Sequence, residues 1–172
     1  MMFLSAVLAQ QATARDAQIL LLPFHRPDDE LLMDELSYCL ETRPEAHRPR
    51  VVTLREPLPP RAMMGLLSRL DLLLGMRLHA LIMGAAVAVP SVALVYDPKV
   101  AAFADLAGFP TIESVTALED SEQIVKVLDQ VWEHRVEVKR ALEAKRETWR
   151  HTALRNAELA VELGRTAHVH RA

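Results

Sequence analysis

Arg77 and His79 stand two residues apart at the head of the stretch GMRLHALIMGAAVAVP, and ten apolar or small residues follow before Pro90. A guanidinium and an imidazole at the entrance of such a run suit one task, the holding of an anion where a strand gives way to a helix. The first turn of a helix carries N–H groups with no intrahelical partner and lies at the positive end of the helix dipole, so cations placed there complete an anion site. Two other places repeat the pattern. His25 and Arg26 follow the apolar run QILLLPF, and Asp97 and Lys99 follow SVALVY. A guanidinium, an imidazole and an ammonium together suit a multiply charged anion, such as a phosphate or a phosphate with a carboxylate. An imidazole also titrates near neutral pH and can deliver or take a proton. Each group has a plainer reading when taken alone. Arg77 can pair with Asp71 or Asp97, and a histidine at a strand end is commonly structural.

These groups meet only if the elements that carry them share an edge. The spacing predicts strands at QILLLPF (18–24), RVVTL (50–54), DLLLGM (71–76), SVALVY (91–96) and TIESV (111–115). Between them lie helical stretches at 26–43, 59–70, 78–89 and 97–108, opened by prolines or acidic residues and, in the last case, closed by Gly108. In the first of these, Leu31, Leu32, Leu36 and Cys39/Leu40 form the expected apolar stripe, and Asp28, Asp29 and Glu30 read as charges favoured at a helix start. In the second the stripe is Met63, Leu66, Leu67 and Leu70, with Met63 and Met64 expected to fill core gaps. From Asp120 to Leu163 there is neither glycine nor proline, which predicts one or two long helices with a stripe of Ile124, Val127, Leu128 and Val131 before a frayed tail.

Alternation of uninterrupted apolar strands with helices defines an α/β fold class, a Rossmann-like, doubly wound parallel sheet with helices on both faces. The expected organisation is a single domain over 1–172, with a helix over 1–16, an α/β core over 17–118 and long helices over 119–164. In such sheets ligands bind outside the carboxyl ends of the strands, which is where His25, Arg77, His79, Asp97 and Lys99 all fall.

Bulk composition narrows the function further. A net charge of −3 and a pI near 6.2 give no basic footprint for nucleic acid, so any cationic site must be local. The one cysteine, Cys39, rules out an internal disulfide and suits the reducing cytoplasm. The opening MMFLSAVLAQQATA lacks the basic residues of a secretory signal and reads as an amphipathic helix, while the uncharged run 80–96 is divided by Pro90 into a helix and a strand. The five glycines form no G-x-G-x-x-G or phosphate loop, and no G-x-S-x-G is present, so nicotinamide cofactors, loop-bound ATP and a serine nucleophile are not expected. His168 and His170 form an H-x-H with no third ligand nearby, and no metal or resident cofactor is implied.

LPFHRPDD, SRLDLLLGMRLHALIMGA and VYDPKVAAFADLAG resemble, in order and spacing, the C-terminal half of polysaccharide pyruvyl transferases, most closely a bacterial cell-wall branch called CsaB. The resemblance covers about residues 15–110, and GMRLHALI followed by YDPK is its distinctive part. It implies the second domain of a glycosyltransferase-B arrangement, with the N-terminal half of the family not in this chain. It implies transfer of the enolpyruvyl group of phosphoenolpyruvate to a sugar of a cell-wall or exopolysaccharide, closing a pyruvate ketal and releasing phosphate. The acceptor in such relatives is a lipid-linked saccharide, which would bring the protein to the inner face of the membrane. By the same resemblance, Arg77 and His79 would be catalytic and line the donor site. Lys99 would contact the phosphate or carboxylate, His25 would face the acceptor, and Asp97 would belong to the substrate site. With half a family member present, activity of this chain alone is not expected, and it would associate with the other half or with itself. Two rival readings are the donor half of a nucleotide-sugar glycosyltransferase and a binding module that has lost activity.

Overall fold

The computed structural model describes residues 2–113 and 121–169, with side chains through residue 164. The expected strand end at 114–115, the helix start at 119–120 and the last residues, 170–172, lie outside the described residues. In chain order the elements are α1 (Met2–Ala14), β1 (Gln18–Leu21), α2 (Asp28–Glu41), a 3-10 turn (Glu45–His47), β2 (Arg50–Thr53), α3 (Pro60–Leu67), β3 (Leu73–Gly75), α4 (Leu78–Ala86), β4 (Ser91–Val95), α5 (Pro98–Ala107), β5 (Thr111–Glu113), α6 (Ser121–Glu133) and α7 (Arg135–Val169).

Local chemistry sets these boundaries. Pro98 occupies the first turn of α5, where its missing N–H costs nothing, and the Asp97 carboxylate accepts the Lys99 N–H at 2.8 Å as the cap. Gly108 ends the helix at φ 79°, a left-handed conformation that a side chain would strain. Lys145 of α7 then donates to the freed Ala107 carbonyl at 3.0 Å. Gly164, by contrast, sits inside α7, which continues through Val169 where a frayed tail was expected.

All strand pairings among the described residues are parallel. They form two sheets, β1–β2 and β3–β4–β5, and not the one continuous sheet expected from the sequence. Side chains join the sheets in place of a hydrogen-bonded ladder. Leu22 and Phe24, just past β1, pack with Leu73 of β3 in a cluster that includes Met63, Leu67 and Val89. The α1 helix bridges the sheets as well. Its Val7 packs with Val92 and Ile112 of the second sheet, and its Ala9 with Leu21 of the first. That double contact corrects the expectation of an amphipathic helix, because α1 buries Val7, Ala9 and Ala12 within this chain and leaves Met2 and Phe3 exposed.

Helices cover both faces of the three-stranded sheet. Along β4, Ala93 and Val95 pack with Leu81 of α4, Val100 and Ala104 of α5 and Leu142 of α7, while Val92 and Leu94 pack with Ile124, Leu128 and Val131 of α6. This strict alternation, apolar on both sides, is why the strand carries no charge. The stripe read on α2 is narrower than expected. Leu36 and Leu40 are buried, but Leu31 is 70% exposed, because α2 packs through its other side against α1, β1 and β2. Beyond Trp149, α7 is exposed on every side as far as residue 164.

A side chain at Gly75 would meet Leu81 Cδ2 at 2.9 Å, so α4 turns back tightly onto the strand it follows. Leu81 is fully buried at that contact. Replacing it, Leu81→Ala, should lower unfolding free energy by about 2–5 kcal/mol in denaturant titration, and a loss below about 1 kcal/mol would contradict this packing.

Candidate functional site

Three connections meet at the carboxyl edges of the two sheets. The segment after β1 brings His25, the tight turn after β3 brings Arg77 and His79, and the segment after β4 brings Tyr96, Asp97 and Lys99. With Phe24, Leu78 and Val100 they line one hollow of ≈ 240 Å³. All five residues singled out from the sequence therefore share one cavity. Asp97 contributes mainly as the cap of α5, with one carboxylate oxygen committed to the Lys99 amide.

The guanidinium of Arg77 is held by neither Asp71 nor Asp97, the two partners that the sequence suggested. Its Nε and Nη2 donate to Asp29 Oδ1 at 2.9 and 2.7 Å, across 48 positions of sequence. The other oxygen, Oδ2, accepts the backbone amides of Phe24 and His25, both at 2.8 Å. Asp29 is therefore more than a helix-start charge. Its side chain is 5% exposed and ties the loop after β1 to the turn after β3. Arg77 Nη1 donates to the Tyr96 hydroxyl at 3.3 Å, and the guanidinium lies 5.8 Å from the centre of that ring.

Burial alone would push the Asp29 carboxyl up. The hydrogen bond from Arg77, those from the two amides and the Arg77 charge overcome it and hold the group below its ordinary value. Asp29 in turn raises Arg77 above the usual guanidinium range, although burial works against the charge. The pair largely cancels its own charge. The remaining cationic character of the hollow comes from Lys99 and from His25 and His79 when protonated. Among the described residues neither the Lys99 ammonium nor the His79 ring has a hydrogen-bond or ion-pair partner, and both are exposed. His25 Nε2 lies 3.5 Å from Asp28 Oδ2, with both side chains largely in solvent.

Two other cavities lack this chemistry. One of ≈ 350 Å³ lies on the other side of Phe24, against Pro23, Leu54, Leu58, Met63 and Met83, and is mostly apolar. Another of ≈ 530 Å³ lies between α1 and α6 and contains none of the residues singled out from the sequence. Among the described residues no group of three His, Cys, Asp or Glu side chains could hold a metal ion, and no helix is long and apolar enough to cross a membrane.

Sequence reasoning missed Asp29 and Tyr96. Nothing in PDDE separates Asp29 from its acidic neighbours. The available signal was the cost of an interior guanidinium, which requires a carboxylate from somewhere in the fold.

Fold and hollow together define a parallel α/β protein whose cationic side chains converge at the carboxyl edge of its sheets. The profile of the polysaccharide pyruvyl transferase family matches residues 3–98, more than half of the 172, and the chain belongs to that family of transferases. The matched segment contains His25, Asp29, Arg77, His79 and Asp97 and stops one residue short of Lys99. No curated protein and no solved structure gives a significant match.

Stability should report the Asp29 clasp with a defined sign. A carboxylate whose native value is depressed contributes fully above its ordinary value of 3.8, and that contribution is lost as the pH falls through the lowered native value. Asp29→Asn should therefore cost about 1.5–3 kcal/mol near neutral pH, the range for hydrogen bonds to charged groups. Wild type and variant should converge in acid denaturation series below pH 3.8. A gap that stays constant down to the acid limit would contradict the assignment.

Proposed function

We propose that the hollow binds phosphoenolpyruvate and that the chain supplies part of the donor site of a transferase forming pyruvate ketals on a saccharide. Family membership implies pyruvyl transfer to polysaccharide. The donor and the ketal are the finer reading, and the observation that supports them is one small hollow bearing Arg77, His79, Lys99 and His25. Phosphoenolpyruvate carries a phosphate of about −1.5 to −2 beside a carboxylate, and clustered donors are what such a molecule requires.

In this reading Lys99 and the free edge of Arg77 bind the phosphate and carboxylate. His79 delivers a proton to the methylene carbon, which becomes the methyl group of the ketal. Two sugar hydroxyls add to C2, the bond from C2 to the phosphate oxygen breaks, and phosphate leaves. Of the two hydroxyl protons, one replaces the proton given by His79 and the other departs with phosphate. Arg77 and Lys99 stabilise the charge that grows on the leaving group. His25 lies at the rim facing the acceptor, and Asp97 shapes the wall beside Lys99.

The same reading places the chain as the second half of a glycosyltransferase-B arrangement in a CsaB-like branch. It would work in the cytoplasm on a lipid-linked saccharide and associate with a first half or with a second copy.

Calorimetric titration should show phosphoenolpyruvate binding and no comparable binding of a nucleoside diphosphate. The reverse preference would overturn the reading. Lys99→Ala should weaken phosphoenolpyruvate binding by about tenfold or more, the equivalent of one charge-assisted hydrogen bond, and unaltered affinity would remove Lys99 from the site. In an assembly with transferase activity, His79→Ala should lower kcat on the order of 10²-fold with little change in KM. An undiminished kcat would exclude His79 as the acid.

A further inference from the structure

We infer that Asp29 is the positioning residue of this hollow, setting the place of Arg77 relative to His25 and fixing which edge of the guanidinium a ligand meets. At this edge the apolar packing of Leu22 and Phe24 joins the sheets without setting a direction. His25 follows β1 in one sheet and Arg77 follows β3 in the other, and no hydrogen-bonded ladder joins β1 to β3. Asp29 carries the hydrogen bonds that span that seam. Asp29 Oδ2 takes the amides of Phe24 and His25, and Oδ1 takes Nε and Nη2 of Arg77.

Four donors on one carboxylate leave neither oxygen idle and give the guanidinium a fixed orientation. With Nε and Nη2 engaged, Nη1 is the nitrogen turned toward Tyr96 and the hollow. Arg77 therefore meets an anion only with its outer edge, Nη1 and the second hydrogen of Nη2, while its inner edge stays on Asp29. Lysine could not replace arginine here, because an ammonium has no second edge with which to stay on Asp29 while facing a ligand. Burying the pair also has a cost that apolar side chains of similar volume would avoid, which points away from mere stabilisation. An asparagine at position 29 would present an N–H₂ group either to the Arg77 fork or to the two amides, so one side of the clasp must open.

The inference depends on the proposed donor only for the identity of the ligand. Its test is a double-mutant cycle read by calorimetry with phosphoenolpyruvate, at a temperature where circular dichroism shows every variant folded. Asp29→Asn should weaken binding about tenfold, the scale of one hydrogen bond to a charged group. In an Arg77→Ala background the same change should have no further effect. Losses that add would overturn the inference. If Asp29→Asn does not fold, Arg77→Lys serves in its place: it should bind as poorly as Arg77→Ala, and wild-type affinity in the lysine variant would overturn the inference. If the wild-type chain does not bind phosphoenolpyruvate, the proposed donor fails, and the positioning role is read without ligand by nuclear magnetic resonance. The Arg77 Nε–H signal and the Phe24 and His25 amide signals should shift together in Asp29→Asn, or in Asp29→Glu if the first does not fold. Unmoved signals would overturn it.

Discussion

A buried carboxylate, Asp29, holds two separate sheets in register at the edge where the hollow forms. Parallel strands deliver their carboxyl ends to one side of a domain, but here the hydrogen-bonded ladder is broken between β1 and β3. Apolar packing of Leu22 and Phe24 against Leu73 joins the sheets without defining direction. Hydrogen bonds do define it. The four that converge on Asp29 require the loop after β1 and the turn after β3 to sit at one relative position.

The rest of the site follows from how closely the chain turns. Gly75 lets α4 fold back against β3, so Arg77 and His79 fall within one turn of the strand end. Asp97 and Pro98 start α5 directly after β4, which sets Lys99 beside them. The charge in the hollow is accordingly uneven. Arg77 is matched by Asp29, whereas the Lys99 ammonium and the His79 ring are exposed and have no ion-pair partner among the described residues. A site arranged in this way has one clasped, nearly neutral wall and one exposed cationic wall, and an incoming anion is neutralised mainly by the second.

Much of the fold was legible because its elements are short and strongly punctuated. Pro60, Pro98 and Gly108 mark helix ends, and the uncharged run around Pro90 divides into α4 and β4 as its composition implies. The gathering of His25, Arg77, His79, Asp97 and Lys99 was legible too, because parallel topology sends all strand ends one way. What stayed hidden depends on contacts distant in sequence. Whether β1 pairs with β3 is a matter of packing that no local pattern records. Leu31 continues the helical stripe of α2, yet it is exposed because no described residue covers that side of α2. Asp29 resembles Asp28 in every local respect, and only the fold decides that one meets Arg77 while the other faces His25 in solvent.

The central claim is that this hollow takes a small, multiply charged anion, and a crystal structure with phosphoenolpyruvate bound tests it most directly. The account predicts the phosphate within hydrogen-bonding distance of Lys99 and His79, with Arg77 Nη1 on the ligand and Nε and Nη2 still on Asp29. Ligand density in the cavity between α1 and α6 with this hollow left open, or an Arg77 that has released Asp29 to grip the phosphate with two nitrogens, would contradict it.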